Sequence, residues 1–318
     1  MVEYRSREEL VRWVQGHTPE EEPVMHVGAG SNLLFVKDYN GTILHSRIAD
    51  IERMTEVGDK VFVRVGGGMT WDSFVQWSIH HDLHGVENLS LIPGEVGAAA
   101  VQNIGAYGVE AKDVIYTVET VDLQTGELRT FRNAECDYGY RTSIFKKALA
   151  GRYAVTHVVL VLSHTFRPLT EYGGLAAGVD GLGKTPRNIT AQELRNVVVS
   201  IRRSKLPDPA VMGNAGSFFT NPIVSHAKWE ALHSEYPKMP HYEVDASHVK
   251  VPAGWLIEQC GWKGRKMGPA GVYAQQALVL VNLGGATGHD ILRLCLKIQA
   301  DVYERFGIHL APEVNIIE

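Results

Sequence analysis

Apolar positions recur at helical spacing in several stretches that also carry start and stop signals. Ser6 with Glu9 forms a capping box ahead of Leu10, Val11 and Val14, and Gly16 closes that run. The stretch from Thr70 to His81 reads as a second helix, and Thr190 with Glu193 opens a third that ends near Arg203. DILRLCLKIQADVYERF is a long amphipathic helix stopped at Gly307. Elsewhere the period is two. Val61, Val63 and Val65 alternate with polar positions until Gly66, Gly67 and Gly68 end the strand. VMHVGAG reads as a short strand entering a glycine turn, YTVETVDL and AVTHVVLVLS as longer strands, and IHLAPEVNII as a terminal one. LLFV and TILH flank the Asn40-Gly41 dipeptide, which predicts a hairpin.

Two stretches fit neither period. GVENLSLIPGEVGAAAVQNIGAYGVE is too broken by glycine for one regular element, and EYGGLAAGVDGLGKTPRN reads as a mobile or inter-domain connection. KLPDP marks a boundary before a second mixed segment. A length of 318 residues suggests two or three domains, and the mixture of helices and strands an α/β or α+β chain. There are no internal repeats or low-complexity tracts.

Composition narrows the function. The net charge of −5 argues against a broad nucleic-acid or anionic-membrane surface. No run is long and apolar enough for a membrane span, and the charged start MVEYRSREEL lacks a secretory pattern, so a cytoplasmic location is expected. Cys136, Cys260 and Cys295 are scattered, which favours neither a disulfide framework nor a cysteine-built metal site. His80, His81 and His84 do not amount to a metal site either, because adjacent imidazoles on a helix point about 100° apart. No metal is expected.

Several motifs carry candidate chemistry. GVDGLGKT, from Gly178 to Thr185, matches the phosphate-loop pattern, but no apolar strand feeds it and Pro186 follows at once. GAGSN, Gly28 to Asn32, is half of a dinucleotide fingerprint; it suits a phosphate contact and a plain turn equally well. In IPGEVGAAAVQNIGAYG, small residues let a long ligand lie against main chain, with Gln102 and Asn103 adding side-chain donors and acceptors. GNAGSFFTNP places Ser217 in a polar, glycine-rich cluster that is not a nucleophile elbow.

Taken together, the segments GAGSNLL, GVENLSLIPGEVGAAAVQNIGAYGVE, YGYRTSIFK, EYGGL, KLPDP, GNAGSFFTNP, KVPAGWLIEQCGW, QQALVLVN and LAPEV resemble, in order, the UDP-N-acetylenolpyruvoylglucosamine reductases of the longer type. The resemblance implies an α+β chain: a vanillyl-alcohol-oxidase-type FAD-binding fold of two subdomains plus a separate α+β substrate-binding domain. The expected boundaries are 1–66, then 67–198 with a returning strand at 307–318, and 199–306 for substrate. It implies bound FAD, NADPH as co-substrate, and a UDP-sugar as the small-molecule partner, with no obligate protein partner. By position, Arg141 would grip the enolpyruvyl carboxylate, Glu313 would act with it, and Ser217 would supply a proton. FAD would be held by Gly28, Ala29, Gly30, Ser31, Asn32, Leu33, Pro93, Gly94, Gly97, Ala98, Gln102, Asn103, Gly105, Ala106, Tyr107 and Gly108. The sugar nucleotide would meet Tyr172 on a lid, Arg202, Lys205, Asn221, Tyr242, Lys250 and Gln276.

Thr220, Tyr273 and Asn315 depart from the residues common in such relatives, which alters affinity rather than the chemical roles. Relatives of this type usually begin with a further segment carrying an Asn-Thr-aromatic-Gly pattern. Met1 here opens directly onto VEYRSREEL, so a shortened first flavin subdomain and partial FAD occupancy are expected. The competing readings are a flavin oxidase of the same fold acting on another substrate, and a sugar-nucleotide-binding protein without flavin.

Overall fold

Strand 60–66 is the element on which the first half of the chain is built. Val61, Val63 and Val65 are fully buried on one face, as the alternation predicts. It lies in a five-stranded antiparallel sheet ordered Leu128–Arg132, Ile115–Asp122, Tyr153–Ser163, Lys60–Gly66, Ile51–Val57. The 153–163 strand is central and buried along most of its length, which explains its nearly continuous apolar sequence.

The computed structural model describes residues 1–17 and 22–318. They form two units, Met1–Gly30 with Asn40–Arg202, and Ser31–Tyr39 with Arg203–Glu318. Besides the large sheet, the first unit holds a parallel sheet ordered Val2–Tyr4, Thr42–Ser46, Val24–His26. Helix α1 (Arg7–Gln15) turns Leu10 and Val14 into a cluster with Tyr4, Leu44 and Ile48. Ser6 Oγ caps it by accepting from the Glu9 N–H at 3.1 Å, while the Glu9 carboxylate accepts from the Arg5 N–H at 2.6 Å, one residue before the cap.

Helix α2 (Trp71–His80) lays Trp71, Phe74 and Val75 on the sheet's buried face. The broken glycine stretch contains one short helix, α3 (Val96–Gln102), and the connection before Thr190 contains another, α4 (Leu175–Asp180). Gly178 lies inside α4, with no strand before it. A Cβ at that position would sit 2.5 Å from Val197 Cγ1 of α5 (Ala191–Lys205), so this glycine serves helix packing rather than phosphate binding. The Thr190–Glu193 box is present at the start of α5.

In the second unit, an antiparallel sheet runs Asn214–Ser217, Val279–Asn282, Ala270–Val272, Lys266–Met267. A smaller one runs Ile223–Ser225, His248–Lys250, Tyr242–Glu243. Helices α6 (His226–Glu235), α7 (Ala253–Gln259) and α8 (Gly288–Phe306) complete it. Thr287 and Asp290 box the start of α8, and Gly307 ends it at φ 58°. Its face of Ile291, Leu294, Ile298, Val302 and Phe306 joins Leu256, Ile257 and Trp262 in one core.

The predicted Asn40-Gly41 hairpin does not form. Leu33–Phe35 pairs in parallel with Asn315–Ile317, whereas Thr42–Ser46 pairs with Val2–Tyr4 and Val24–His26. A local turn signal gave way to ladders with strands distant in sequence that bury Leu44 completely. The pairing with Leu33–Phe35 joins the chain's last strand to residues 31–39.

Three glycines end strand 60–66 because other segments cross it at main-chain contact distance. Gly66 N–H donates to Asp50 O, Gly67 N–H to Thr156 O and Gly68 N–H to Ile48 O, at 2.9, 2.7 and 2.8 Å. A Cβ at Gly68 would run into the Ser46 carbonyl, and one at Gly67 would lie 2.7 Å from Val155 O. Neither contact is with a side chain that could swing away. Gly68→Ala is therefore expected to destabilise the chain by about 1–3 kcal/mol, the ordinary cost of overpacking. Calorimetry should show the corresponding fall in Tm, roughly 2–4 °C for each kcal/mol; an unchanged Tm would show that the crossing relaxes.

Candidate functional site

The residues that cradle a ligand in the first unit come from stretches about 70 positions apart. Strand Val24–His26 releases the chain into Gly28, Ala29 and Gly30, and Gly30 takes φ 71° with nothing within 4 Å of its missing side chain. Across from Gly28 stands α3: a Cβ on Gly28 would lie 3.3 Å from Ala98 Cβ and 3.1 Å from Glu95 Oε2. Main-chain bonds seat this helix. Val96 N–H donates to Met69 O and Gly97 N–H to Gly67 O, both at 2.9 Å, and Trp71 N–H donates to Gly94 O at 3.0 Å. Gly97 lets the approach happen, since its Cβ would lie 3.1 Å from Gly67 O. Ala29, Gly30, Pro93 and Ala98 are left exposed.

This surface of small residues and accessible main chain fits a diphosphate-linked flavin. Of the six residues expected from GAGSNL, Gly28, Ala29 and Gly30 belong to the first unit and Ser31, Asn32 and Leu33 to the second.

Beyond α3 the backbone takes left-handed turns at residues that are not glycine. Asn103, Tyr107 and Arg141 have φ of 49°, 50° and 56°, and Leu91 has 57°. Asn103 is fully buried; its amide donates to Glu110 Oε2 and Gly139 O and accepts from the Lys112 N–H, so the side chain shapes the loop. Gln102 Oε1 accepts from Lys146 Nζ at 2.5 Å.

Arg141 Nη2 donates to Gly105 O at 2.5 Å, and a Cβ on Gly105 would lie 2.8 Å from Arg141 Nη1. Gly105 is thus small to seat a guanidinium, a duty the sequence did not suggest. Arg202 donates from Nε to Leu91 O at 3.2 Å. Burial lowers its pKa, the nearby Tyr107 opposes this, and the charge of Arg141 adds to the lowering. A guanidinium stays protonated regardless, so a half-buried pair of cations faces this region. Gly108 and Gly173 let Tyr107 and Tyr172 come close: Tyr172 Cβ would be 3.6 Å from a Cβ on Gly108, and the Tyr107 ring 3.0 Å from one on Gly173.

The second unit gathers the other expected residues. Ser217 ends strand Asn214–Ser217, after a bulge in which Gly216, at φ 72°, donates its N–H to Asn214 Oδ1. Phe218 and Phe219, both buried, anchor the chain beyond it. Glu313 N–H donates to Phe218 O at 2.8 Å, and Asn32 Nδ2 donates to Glu313 O at 3.2 Å. Ser217 and Glu313 are therefore carried on adjoining main chain. Asn221 Oδ1 accepts from the Ala253 N–H, and Gln276 Oε1 from the Leu278 N–H. Tyr242 sits opposite Lys250 in the small sheet, with Lys250 Nζ 5.9 Å from its ring centre. Lys205 is exposed at the end of α5.

The fold and this cradle define a flavoprotein. The family profile described as FAD binding domain matches residues 1–132. A second, the C-terminal domain of UDP-N-acetylenolpyruvoylglucosamine reductase, matches residues 208–317. The reductase of that name from Bacteroides fragilis is 52% identical over 316 residues, 99% of this chain and 93% of that protein. That of Porphyromonas gingivalis is 47% identical over the same shares. The crystal structure of the Thermus caldophilus enzyme superposes with a TM-score of 0.65 at 25% identity, covering 99% of this chain and 91% of that one. The chain belongs to the UDP-N-acetylenolpyruvoylglucosamine reductase family.

Sequence reasoning missed the pair that fixes Leu91. Asp72, in the first turn of α2, accepts from the Leu91 N–H at 2.5 Å and takes both prongs of Arg195, from α5, at 2.7 and 2.8 Å. With Arg202 on its carbonyl, Leu91 is held from both sides just before Pro93 and Gly94. The available signal was Arg195 itself, an arginine among the buried Leu194, Val197 and Val198.

Burial pushes the Asp72 carboxyl up, but Arg195 and the Leu91 N–H outweigh it, and the net shift is downward. The stabilisation is therefore present above roughly pH 4 and is lost as pH falls through the lowered value. Asp72→Asn should cost about 1–3 kcal/mol, less than a fully buried pair because Asp72 is partly exposed. It should also flatten the acid side of the Tm–pH curve. A parent-like curve would make the pair incidental.

Proposed function

We propose that this chain reduces UDP-N-acetyl-enolpyruvoylglucosamine to UDP-N-acetylmuramate in peptidoglycan precursor synthesis, with FAD bound and NADPH as co-substrate. The observation that carries the reading is Arg141, held in a left-handed turn with its guanidinium on Gly105 and a second cation, Arg202, within electrostatic reach. FAD, when bound, supplies two-electron transfer between NADPH and the enolpyruvyl group. Gly28 to Leu33, Pro93, Gly94, Gly97, Ala98 and Gln102 to Gly108 would hold it.

The chain's own groups manage charge and protons. Arg141 grips the substrate carboxylate with a planar fork that lysine cannot reproduce. Hydride equivalents enter at the methylene carbon, so negative charge develops toward that carboxylate; Arg141 stabilises it, and Glu313 acts with Arg141 to favour the enol-like intermediate. Ser217 delivers the proton to the carbon bearing the carboxylate, completing the lactyl ether. A hydroxyl is a weak acid, so the transfer depends on that developing charge and on short reach. Arg202, Lys205, Asn221, Tyr242, Lys250 and Gln276 offer cations and polar groups to the UDP-sugar, and Tyr172 closes over it.

In domain terms, 1–66 and 67–198 would serve the flavin and 199–306 the sugar nucleotide. Among the described residues no helix is long and apolar enough to cross a membrane. The reading is of a cytoplasmic enzyme working on small molecules, and the net charge of −5 argues against a broad nucleic-acid or anionic-membrane surface.

Stopped-flow absorbance tests the roles. In Ser217→Ala, loss of flavin absorbance on adding NADPH should match the parent, while its recovery on adding the enolpyruvyl sugar nucleotide slows ~10²–10⁴-fold, the usual cost of losing a general acid. Parent-like recovery would remove Ser217 from the chemistry. Arg141→Lys should likewise slow only the second phase. Recovery driven by oxygen and not by the sugar nucleotide would replace the reading with a flavin oxidase.

A further inference from the structure

At the foot of the Gly28–Ala98 contact lies a charge pair that the reaction does not use. Glu95 occupies the N-cap of α3 with extended backbone, φ −118° and ψ 160°, yet its side chain makes no cap bond. It turns instead to His45, whose Nε2 is 2.8 Å from Glu95 Oε1; the two side chains are only 12% and 6% exposed, histidine first. The other carboxylate oxygen points at Gly28, 3.1 Å from where a Cβ would be. A buried carboxylate thus underlies the glycine turn assigned to the flavin's diphosphate, where a bare negative charge would oppose binding.

The neighbouring strands supply the remaining titratable groups. Strand 24–26 brings His26, whose Nε2 lies 2.7 Å from the Tyr4 hydroxyl of strand 2–4. Arg47, just past strand 42–46, is half exposed and bonded to Glu3 at 2.6 Å. The 66–69 segment and α3 bring no titratable side chain. Burial, with the charge at His45, drops the His26 pKa to about 4, so His26 is neutral near pH 7. Burial also raises the Glu95 carboxyl, against His45 and Arg47.

We infer that His45 is the counter-ion of Glu95 and thereby a determinant of cofactor affinity: the pair presents no net charge beneath Gly28, and without His45 the ionised carboxylate repels the diphosphate. This rests on the flavin reading above. Repulsion between a buried carboxylate and a diphosphate a few ångströms away is strong enough at an effective dielectric constant near 20 to weaken binding roughly 10- to 100-fold.

FAD retention by the purified holoprotein at pH 7, followed by flavin fluorescence on dilution and back-titration, reads this directly. His45→Ala should release FAD 10- to 100-fold more readily than the parent. Glu95→Gln should retain FAD at least as well as the parent. The double variant should recover parent-like affinity. Circular dichroism separates loss of fold from loss of affinity, and the Glu95→Gln retention stands even where His45→Ala folds poorly. Parent-like retention in His45→Ala, or a double variant as weak as the single one, would overturn the inference. A parent that retains no FAD would instead bring down the flavin reading beneath it.

Discussion

Main chain crossing main chain at contact distance is the constraint from which the first unit follows. Gly66, Gly67 and Gly68 end strand 60–66 where residues 46–50, 155–156 and 94–97 all pass over it. Each crossing is secured by an N–H to carbonyl bond, and each requires the absence of a side chain. The consequence is positional. α3 can begin only where Val96 and Gly97 find their acceptors on Met69 and Gly67, and that seat sets Ala98 and Glu95 against Gly28. A cradle built from backbone needs no large side chains of its own, which is why its sequence is poor in them.

Charge is organised around that cradle by burial and pairing. Arg141, Arg202 and Arg195 are all partly or fully withdrawn from water, and each has carbonyl or carboxylate partners in the first unit. Asp72 answers Arg195, while His45 answers Glu95. The left-handed backbone at Leu91, Asn103, Tyr107 and Arg141 clusters at the same loops, and conformations of that kind persist only where the surroundings over-determine them. Here Leu91 is held at its amide and its carbonyl, and Asn103 by three hydrogen bonds.

Much of this was legible from residues alone. The capping box at Thr190 and the stop at Gly307 mark local chemistry that tertiary structure does not override. The alternation of Val61, Val63 and Val65 gave the buried face directly, and the missing strand before Gly178 exposed the phosphate-loop pattern as accidental. The Asn40-Gly41 hairpin failed because a turn signal says nothing about partners, and the partners of Thr42–Ser46 lie at residues 2–4 and 24–26. The short helices α3 and α4 were hidden by glycines whose packing reasons, Gly67 and Val197, are distant in sequence. Asp72, Arg195 and His45 went unnoticed for the same reason, since a buried ion pair is invisible until both halves are placed. The flavin and substrate residues came from family resemblance in order along the chain, not from spacing.

The central claim, reduction of an enolpyruvyl ether with a proton delivered beside the carboxylate, has a direct chemical readout. Turnover of UDP-N-acetyl-enolpyruvoylglucosamine with NADPH in deuterated water, followed by proton NMR of the product, locates that proton. The account predicts UDP-N-acetylmuramate with deuterium on the carbon that bears the carboxylate, because the serine hydroxyl exchanges with solvent. Product carrying hydrogen at that carbon, or NADPH consumed with oxygen while the sugar nucleotide is recovered unchanged, would contradict it.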